Sequence, residues 1–350
     1  MPLNVEKYAI STQTNGIPLI CPMKRYTDTL RMVEDRHAPG VILLLGHGAG
    51  FFKETWEPTI EDIFALDKEK KRVREVWALD CQNHGEACVL NEDILVRTPE
   101  VLTIWDYAEA FACLYKSGLL GPLNPELHKV VLCGHSAGSV AVTLSTSYFN
   151  PPFRIPYSSL ILVDPPIWGR EKEDQDSEVY KMVAAMTPVR KDVWKSKEEA
   201  AKWLGSRMPW GSWDKRILEK YTKYGIRTLP TTFYPDRNEG VTLTTHRSCE
   251  NIAFTGKRFA YDALNRLNQI CEHVPVHLIY GENNDMFERD VQDSLINPQE
   301  RRTFASIVRI EDAGHLVVQE APTKVAGAIY EILLAEYANN KGITNVSSKL

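Results

Sequence analysis

The 350-residue chain carries 41 Lys and Arg against 46 Asp and Glu, a net charge of −5, with 43% hydrophobic and 25% charged residues. That composition belongs to a folded chain large enough to bury one sizeable core, and it excludes disordered and low-complexity classes. The negative balance argues against nucleic acid or an anionic membrane surface as main partner, because both select for clustered Lys and Arg. Seven cysteines without a C-x-x-C pair, several inside apolar runs, read as buried reduced thiols rather than a disulfide framework. No basic segment followed by an apolar core opens the chain, and no apolar run approaches the roughly 18 residues a bilayer span needs. The expectation is a soluble intracellular protein with a small-molecule ligand and no stable membrane insertion.

In chain order, runs of strand character alternate with helical patterns, which predicts an α/β fold with a mostly parallel eight-stranded sheet. The first runs are EKYAIST (6–12), PLICPMKRY (18–26), VILLLG (41–46) and EVWALD (75–80). A helical pattern over 101–118 then leads to KVVLCG (129–134) and SLILVD (159–164). From Pro165 to Cys271 the chain turns polar, helical and rich in Trp, Met and Tyr, too long a stretch for a loop. It predicts a helical cap inserted at 165–271 into a core made of 1–164 and 272–350. PVHLIYG (275–281), SIVRIEDA (306–313) and a closing helix opened by Pro322 complete the series.

The chemistry concentrates at strand ends. Gly134-His135-Ser136-Ala137-Gly138 matches G-x-S-x-G directly after an apolar strand and before a helical pattern, the context in which the serine is a nucleophile on a strained turn. Glycines at 134 and 138 allow neighbouring backbone to approach. His47-Gly48-Ala49-Gly50 ends an earlier strand and offers the Ala49 amide as oxyanion donor beside that of Ala137, with His47 fixing the turn. His315, behind Ala313-Gly314 and between the last strand and the last helix, completes the order serine, acid, histidine and is the expected base. The remaining histidines read as structural; His84, in a loop after the fourth strand, packs beneath the site.

Together, the GHSAG turn, the HG loop, DCQNHG and AGHL resemble the α/β-hydrolase superfamily over almost the whole chain. HGAGFFKETWEP followed by WALDCQNHGEACVLN resembles a fungal peroxisomal branch that includes an acyl-CoA hydrolase of mycophenolic acid biosynthesis and hydrolases from host-selective toxin clusters. The resemblance leaves two acids for His315. Asp285 follows the seventh strand, but Gly281 to Asp285 is one residue longer than the common G-x-x-D spacing. Asp164 follows the sixth strand, where the fungal branch carries its acid, and is favoured; Asp285 is the alternative.

The resemblance implies an acyl-CoA thioesterase or carboxylic ester hydrolase working on a secondary-metabolite intermediate without cofactor or metal. Acyl transfer on the same fold and slow-turnover ligand binding are the alternatives. Trp168, Met182, Met186, Trp203, Met208, Trp210 and Trp213 offer an apolar cap, and Lys172, Arg190, Lys191 and Lys195 are candidate contacts for coenzyme A phosphates, though a solvated helix face is the simpler account. Ser348-Lys349-Leu350 has the form of the address read by the peroxisomal import receptor, which predicts that receptor as a partner and the peroxisome as location.

Overall fold

The computed structural model describes residues 3–29, 39–98, 102–172, 177–254, 258–300 and 302–344; Ser348, Lys349 and Leu350 lie outside them. The chain opens with β1 (Leu3–Thr14) and β2 (Ile17–Asp28), an antiparallel hairpin. Its turn is Asn15-Gly16, both at positive φ (50° and 79°), the conformation in which a two-residue turn follows the twist of its strands. β2 joins β4 (Val73–Leu79) antiparallel, and from there the pairing is parallel through β3 (Gly40–Gly46), β5 (His128–His135), β6 (Ser159–Val163), β10 (Val276–Gly281) and β11 (Ser306–Ile310). The resulting order is β1-β2-β4-β3-β5-β6-β10-β11. All eight strands coincide with runs anticipated from the sequence.

The inner strands are buried on both faces, which explains their unbroken apolar runs. Val41, Leu43 and Leu45 of β3 point into one core with the helices Glu57–Asp67 and Pro322–Thr344. Ile42 and Leu44 point into the other, with the helices Ile104–Lys116, Ala137–Ser145 and Arg258–Ile270. Because β4 lies on one side of β3 and β5 on the other, the sheet order reverses beside β3. A crevice outside the carboxyl ends of the strands is expected at such a reversal, and the loops after β3 and β5 meet there.

The segment between β6 and β10 is less purely helical than the sequence suggests. It holds the helices Glu178–Met186, Lys197–Gly205, Lys215–Tyr224 and Arg247–Asn251. It also holds a three-stranded antiparallel sheet of β7 (Val193–Trp194), β8 (Ile226–Thr228) and β9 (Val241–Leu243), ordered β7-β9-β8. Strands of two or three residues are too short to declare a period. They rest on an aromatic cluster of Trp194, Trp210, Trp213 and Tyr221 into which Phe51 and Phe52, from the loop after β3, also insert. The helix Arg258–Ile270, on the cap side of the boundary read from sequence, buries Ala263, Leu264, Leu267 and Ile270 in the core beneath the sheet. No helix among the described residues is long and apolar enough to cross a membrane.

Candidate active site

Ser136 stands between β5 and the helix Ala137–Ser145 with φ 51° and ψ −122°, a backbone conformation that a residue with a Cβ adopts only under constraint. The constraint comes from its flanks. A Cβ on Gly134 would overlap the Gly138 carbonyl, and one on Gly138 would overlap the Gly46 carbonyl at the end of β3. The turn is therefore pressed onto the neighbouring strand at contacts only glycine permits. The Ser136 amide donates to the Val163 carbonyl of β6 at 3.0 Å, which ties the turn on its other side.

The loop after β11 brings His315 over this turn. Its Nε2 lies 3.0 Å from Ser136 Oγ and its Nδ1 lies 2.8 Å from Asp164 Oδ1. Asp164, 1% exposed and itself at φ 41°, follows β6; its Oδ2 accepts from the Gly281 amide at 2.8 Å and its own amide donates to Ile279 at 2.7 Å. A carboxylate only accepts, so Nδ1 carries the imidazole proton and Nε2 presents its lone pair to the Ser136 hydroxyl. Asp285 meets the same histidine elsewhere: its Oδ1 accepts from the His315 backbone amide at 2.7 Å, and a Cβ on Gly314 would overlap that carboxylate. The two candidate acids thus hold different parts of one residue.

His135, which the sequence reading set aside as structural, is the third hold. Its Nε2–H donates to the His315 carbonyl at 2.8 Å, and burial, with His315 nearby, pushes its pKa down to about 3. It stays neutral and carries no charge into the site. A residue one place before the nucleophile leaves no sequence signal for this role, because its partner lies 180 residues away.

The loop after β3 is fixed with similar care. His47 Nδ1–H donates to the Gly48 carbonyl at 2.8 Å, Nε2 accepts from the Cys81 amide at 3.0 Å, and burial lowers its pKa to about 4. The Tyr107 hydroxyl accepts from the His47 amide at 2.9 Å and donates to the Leu79 carbonyl at 3.0 Å. Beyond the loop, Lys53 binds Asp80 at 2.7 Å and Glu86 at 2.9 Å. A Cβ on Gly48 would lie 3.1 Å from Ser136 Cβ, so the loop runs close beside the serine.

Two hollows open here. The smaller, about 330 Å³, is bordered by Ser136, His315, Ala49 and Ala137. The larger encloses about 820 Å³, part of it open to solvent, and shares Ala49, Ala137, Pro166, Tyr180 and Ala253 with the first. Of the cap residues singled out from sequence, Trp168 lines the larger hollow, whereas Trp203, Trp210 and Trp213 pack with one another and Met182, Met186 and Met208 are exposed. Lys172 pairs with Asp290 at 2.5 Å, Arg190 with Glu250, and Lys191 with Glu199 at 3.3 Å. Among the described residues, no group of three or more His, Cys, Asp or Glu side chains could hold a metal ion.

A serine at a strained strand-to-helix turn, facing a histidine after the last strand of a parallel sheet, is the arrangement of an α/β-hydrolase. The model of the alpha/beta hydrolase family matches residues 41–328, and the chain belongs to that family. It is similar to the type I acyl-CoA thioesterase mpaH of Penicillium brevicompactum, 27% identical over 247 residues that cover 67% of this chain and 50% of that protein. The mpaH of Penicillium roqueforti is 26% identical, over 66% and 50%. The chain thus spans about half the length of these curated relatives. Among solved structures, the peroxisomal alpha-beta-hydrolase Lpx1 of Saccharomyces cerevisiae superposes with a TM-score of 0.72 at 18% identity, over 95% of this chain and 89% of that one. The thioesterase domain from the curacin biosynthetic pathway gives 0.58 at 16%, over 93% and 99%. At these identities the structural matches establish the fold.

Proposed function

We propose that the chain is a serine hydrolase of carboxylic thioesters or esters, with an acyl-CoA intermediate of secondary metabolism as its substrate. The observation that carries this reading is the relay Ser136–His315–Asp164, at 3.0 and 2.8 Å, on a strained turn beside an apolar hollow. The thioesterase names of the Penicillium relatives support the choice of bond.

In this reading Ser136 Oγ bonds to the carbonyl carbon as its proton passes to His315 Nε2. The carbonyl pair moves onto oxygen, where the amides of Ala49 and Ala137 receive it. Asp164 holds the tautomer and stabilises the imidazolium. Collapse expels the thiolate or alkoxide, which takes the proton from Nε2. Water, activated by the same nitrogen, then frees the acid and restores Ser136.

A fluorophosphonate probe is expected to label the wild type and not Ser136→Ala, and Ser136→Ala is expected to lower thiol release from acyl-CoA by roughly three orders of magnitude or more. Retention of more than about a tenth of the activity by a folded variant would overturn the assignment. Neither labelling nor release from a thioester or an ester would make the chain a binder, labelling with release from esters alone would make it an esterase, and release only with an added acceptor would make it a transferase.

The peroxisome is the location that goes with this reading, supported by the peroxisomal name of the yeast neighbour and the tripeptide Ser348-Lys349-Leu350. An N-terminal fluorescent fusion is expected in puncta with a peroxisomal marker, and in the cytosol once Leu350 is deleted. Puncta that survive the deletion would sink the address.

A further inference from the structure

The loop after β3 is seated against the segment between β6 and β10 over several successive residues. The Phe51 amide donates to the Gly48 carbonyl at 3.2 Å, closing a turn with Ala49 and Gly50 at its centre. Gly50 has φ 78°, the left-handed value that the second central residue of a type II turn requires. Phe51 and Phe52 then meet the rings of Trp213 and Tyr221, each at 5.5 Å. On the turn itself the neighbour is a carboxylate: a Cβ on Gly50 would lie 2.9 Å from Glu250 Oε1 and 3.0 Å from its carboxyl carbon. Glu250, 6% exposed, belongs to the helix Arg247–Asn251, and the residues that follow, Ile252 and Ala253, border the larger hollow.

A negative charge at Gly50 is one residue from Ala49, whose amide receives the oxyanion, and like charges repel with little screening where water is excluded. Arg190 answers it. Its Nη1 donates to Glu250 Oε1 at 3.0 Å and its Nη2 to Oε2. The guanidinium lies over the Trp210 ring at 5.7 Å, and the Arg190 carbonyl accepts from Arg247 Nη1 at 2.9 Å. Burial alone would lower the Arg190 pKa, but the charge and hydrogen bonds of Glu250 outweigh it and hold it above the ordinary range, so the guanidinium stays charged. Neither residue borders either hollow among the described residues; whatever the pair does to a substrate passes through the loop. A buried ion pair is weak evidence for stability, because apolar packing often serves as well, and it is the place of this one that calls for an account.

We infer that Arg190 is a positioning residue for the oxyanion: it holds the Glu250 carboxylate against Gly50 and cancels a charge that would otherwise oppose the one forming at the Ala49 amide. The inference rests on the hydrolase reading, and within it on Ala49 as donor. Glu250 gives the turn its support, and Arg190 makes that support neutral. Beside the loop the pair is neutral in the wild type, negative in Arg190→Met, positive in Glu250→Gln and neutral again in the double variant. Acylation and deacylation both pass through an oxyanion, so kcat reports on the donors whichever step is slower. It is expected to follow that charge, whereas the loss of a merely structural contact would follow the number of substitutions.

Hydrolysis of p-nitrophenyl decanoate and thiol release from decanoyl-CoA are measured on the wild type and the three variants, with circular dichroism as the check on folding. Arg190→Met is expected to lower kcat by about tenfold or more with KM near the wild-type value. The double variant is expected to recover to within about threefold of wild type, and Glu250→Gln to exceed it. Inhibition by an alkyl trifluoromethyl ketone, whose adduct with Ser136 carries the oxyanion, is expected to weaken and recover in the same order. An Arg190→Met loss of less than about threefold, a loss in KM rather than kcat, a double variant no better than Arg190→Met, or inhibitor affinities that ignore the charge would overturn the inference. If Arg190→Met does not fold, Glu250→Gln replaces it: a higher kcat with tighter ketone binding supports the inference, and an unchanged or lower kcat overturns it. A wild type that turns over neither substrate class would overturn the hydrolase reading and the inference with it, whereas an active wild type whose variants disregard the charge overturns the inference alone.

Discussion

At the scale of single residues, the two carboxylates around His315 act on different atoms, and their amides should separate them. Asp164 fixes the proton on Nδ1; Asp164→Asn offers no assurance of the right tautomer, and a loss of about four decades in kcat is expected. Asp285 accepts from the His315 backbone amide, which the oxygen of an asparagine also does, so Asp285→Asn is expected to stay within about tenfold of wild type. Steady-state kinetics on both folded variants check this; the reverse order would move the acid to Asp285. Ser136 and His315 were legible in the sequence because a motif and the order of elements identify them. The two acids were not separable with certainty, because a spacing counts residues and does not say whether a carboxylate meets a ring nitrogen or a peptide. Backbone strain falls on the same atoms: Ser136 and Asp164 are two of the positive-φ non-glycine residues among those described, in keeping with strain collecting at functional sites.

At the scale of elements, glycines separate those that bear on the site from those that do not. Gly138 faces the end of β3 with no room for a methyl group, whereas a Cβ on Gly327, in the helix Pro322–Thr344, meets nothing within 4 Å. Gly138→Ala is expected to destabilise by at least about 2 kcal/mol, and Gly327→Ala to stabilise by up to about 1 kcal/mol through helix propensity. Chemical denaturation of both variants reads the difference; a tolerated Gly138→Ala would contradict the close approach of the turn to β3. The eight strands of the main sheet were legible for a related reason: burial on two faces writes an unbroken apolar run. β7, β8 and β9 were not, since their Val193, Trp194, Ile226 and Val241 read equally as helix or loop. Tryptophans in the cap gave no clue to their partners, and only Trp168 of those singled out reached the larger hollow.

At the scale of the whole molecule, two sets of groups make the fold sensitive to acid. His47 and His135 are buried neutral, with pKa values near 4 and 3 against about 6.5 for an unfolded histidine. Between those values the unfolded chain binds protons that the folded one does not, so stability falls as pH drops from about 6.5 toward 4. Glu57 and Glu92 act later. Burial alone would raise them, but hydrogen bonds from Lys220 to Glu57 and from Arg227 to Glu92 outweigh it and hold both carboxyls below their usual range. Their contribution is present above the ordinary glutamate range and is lost as pH falls through the folded values. Lys220 and Arg227 belong to the segment between β6 and β10, and Glu57 and Glu92 to the elements beneath it. The melting temperature is expected to drop by roughly 5 °C or more between pH 7 and pH 4; a flat profile over that range would refute the linkage. The division of labour between segments was the least legible feature at this scale. The helix Arg258–Ile270 reads from sequence as one more cap helix, and only its packing shows that it belongs under the sheet.

The backbone of His315 is gripped on both sides of its Cα, the N–H by Asp285 and the carbonyl by His135, the neighbour of Ser136 in the chain. Ser136 and His315 are therefore tied through the backbone as well as through their side chains: the turn that carries one also holds the main chain of the other, with Oγ and Nε2 3.0 Å apart. The opposite wall is tied more lightly: Tyr180 and Ala253, which line both hollows, are joined by the single bond that the Tyr180 hydroxyl donates to the Ala253 carbonyl at 3.2 Å.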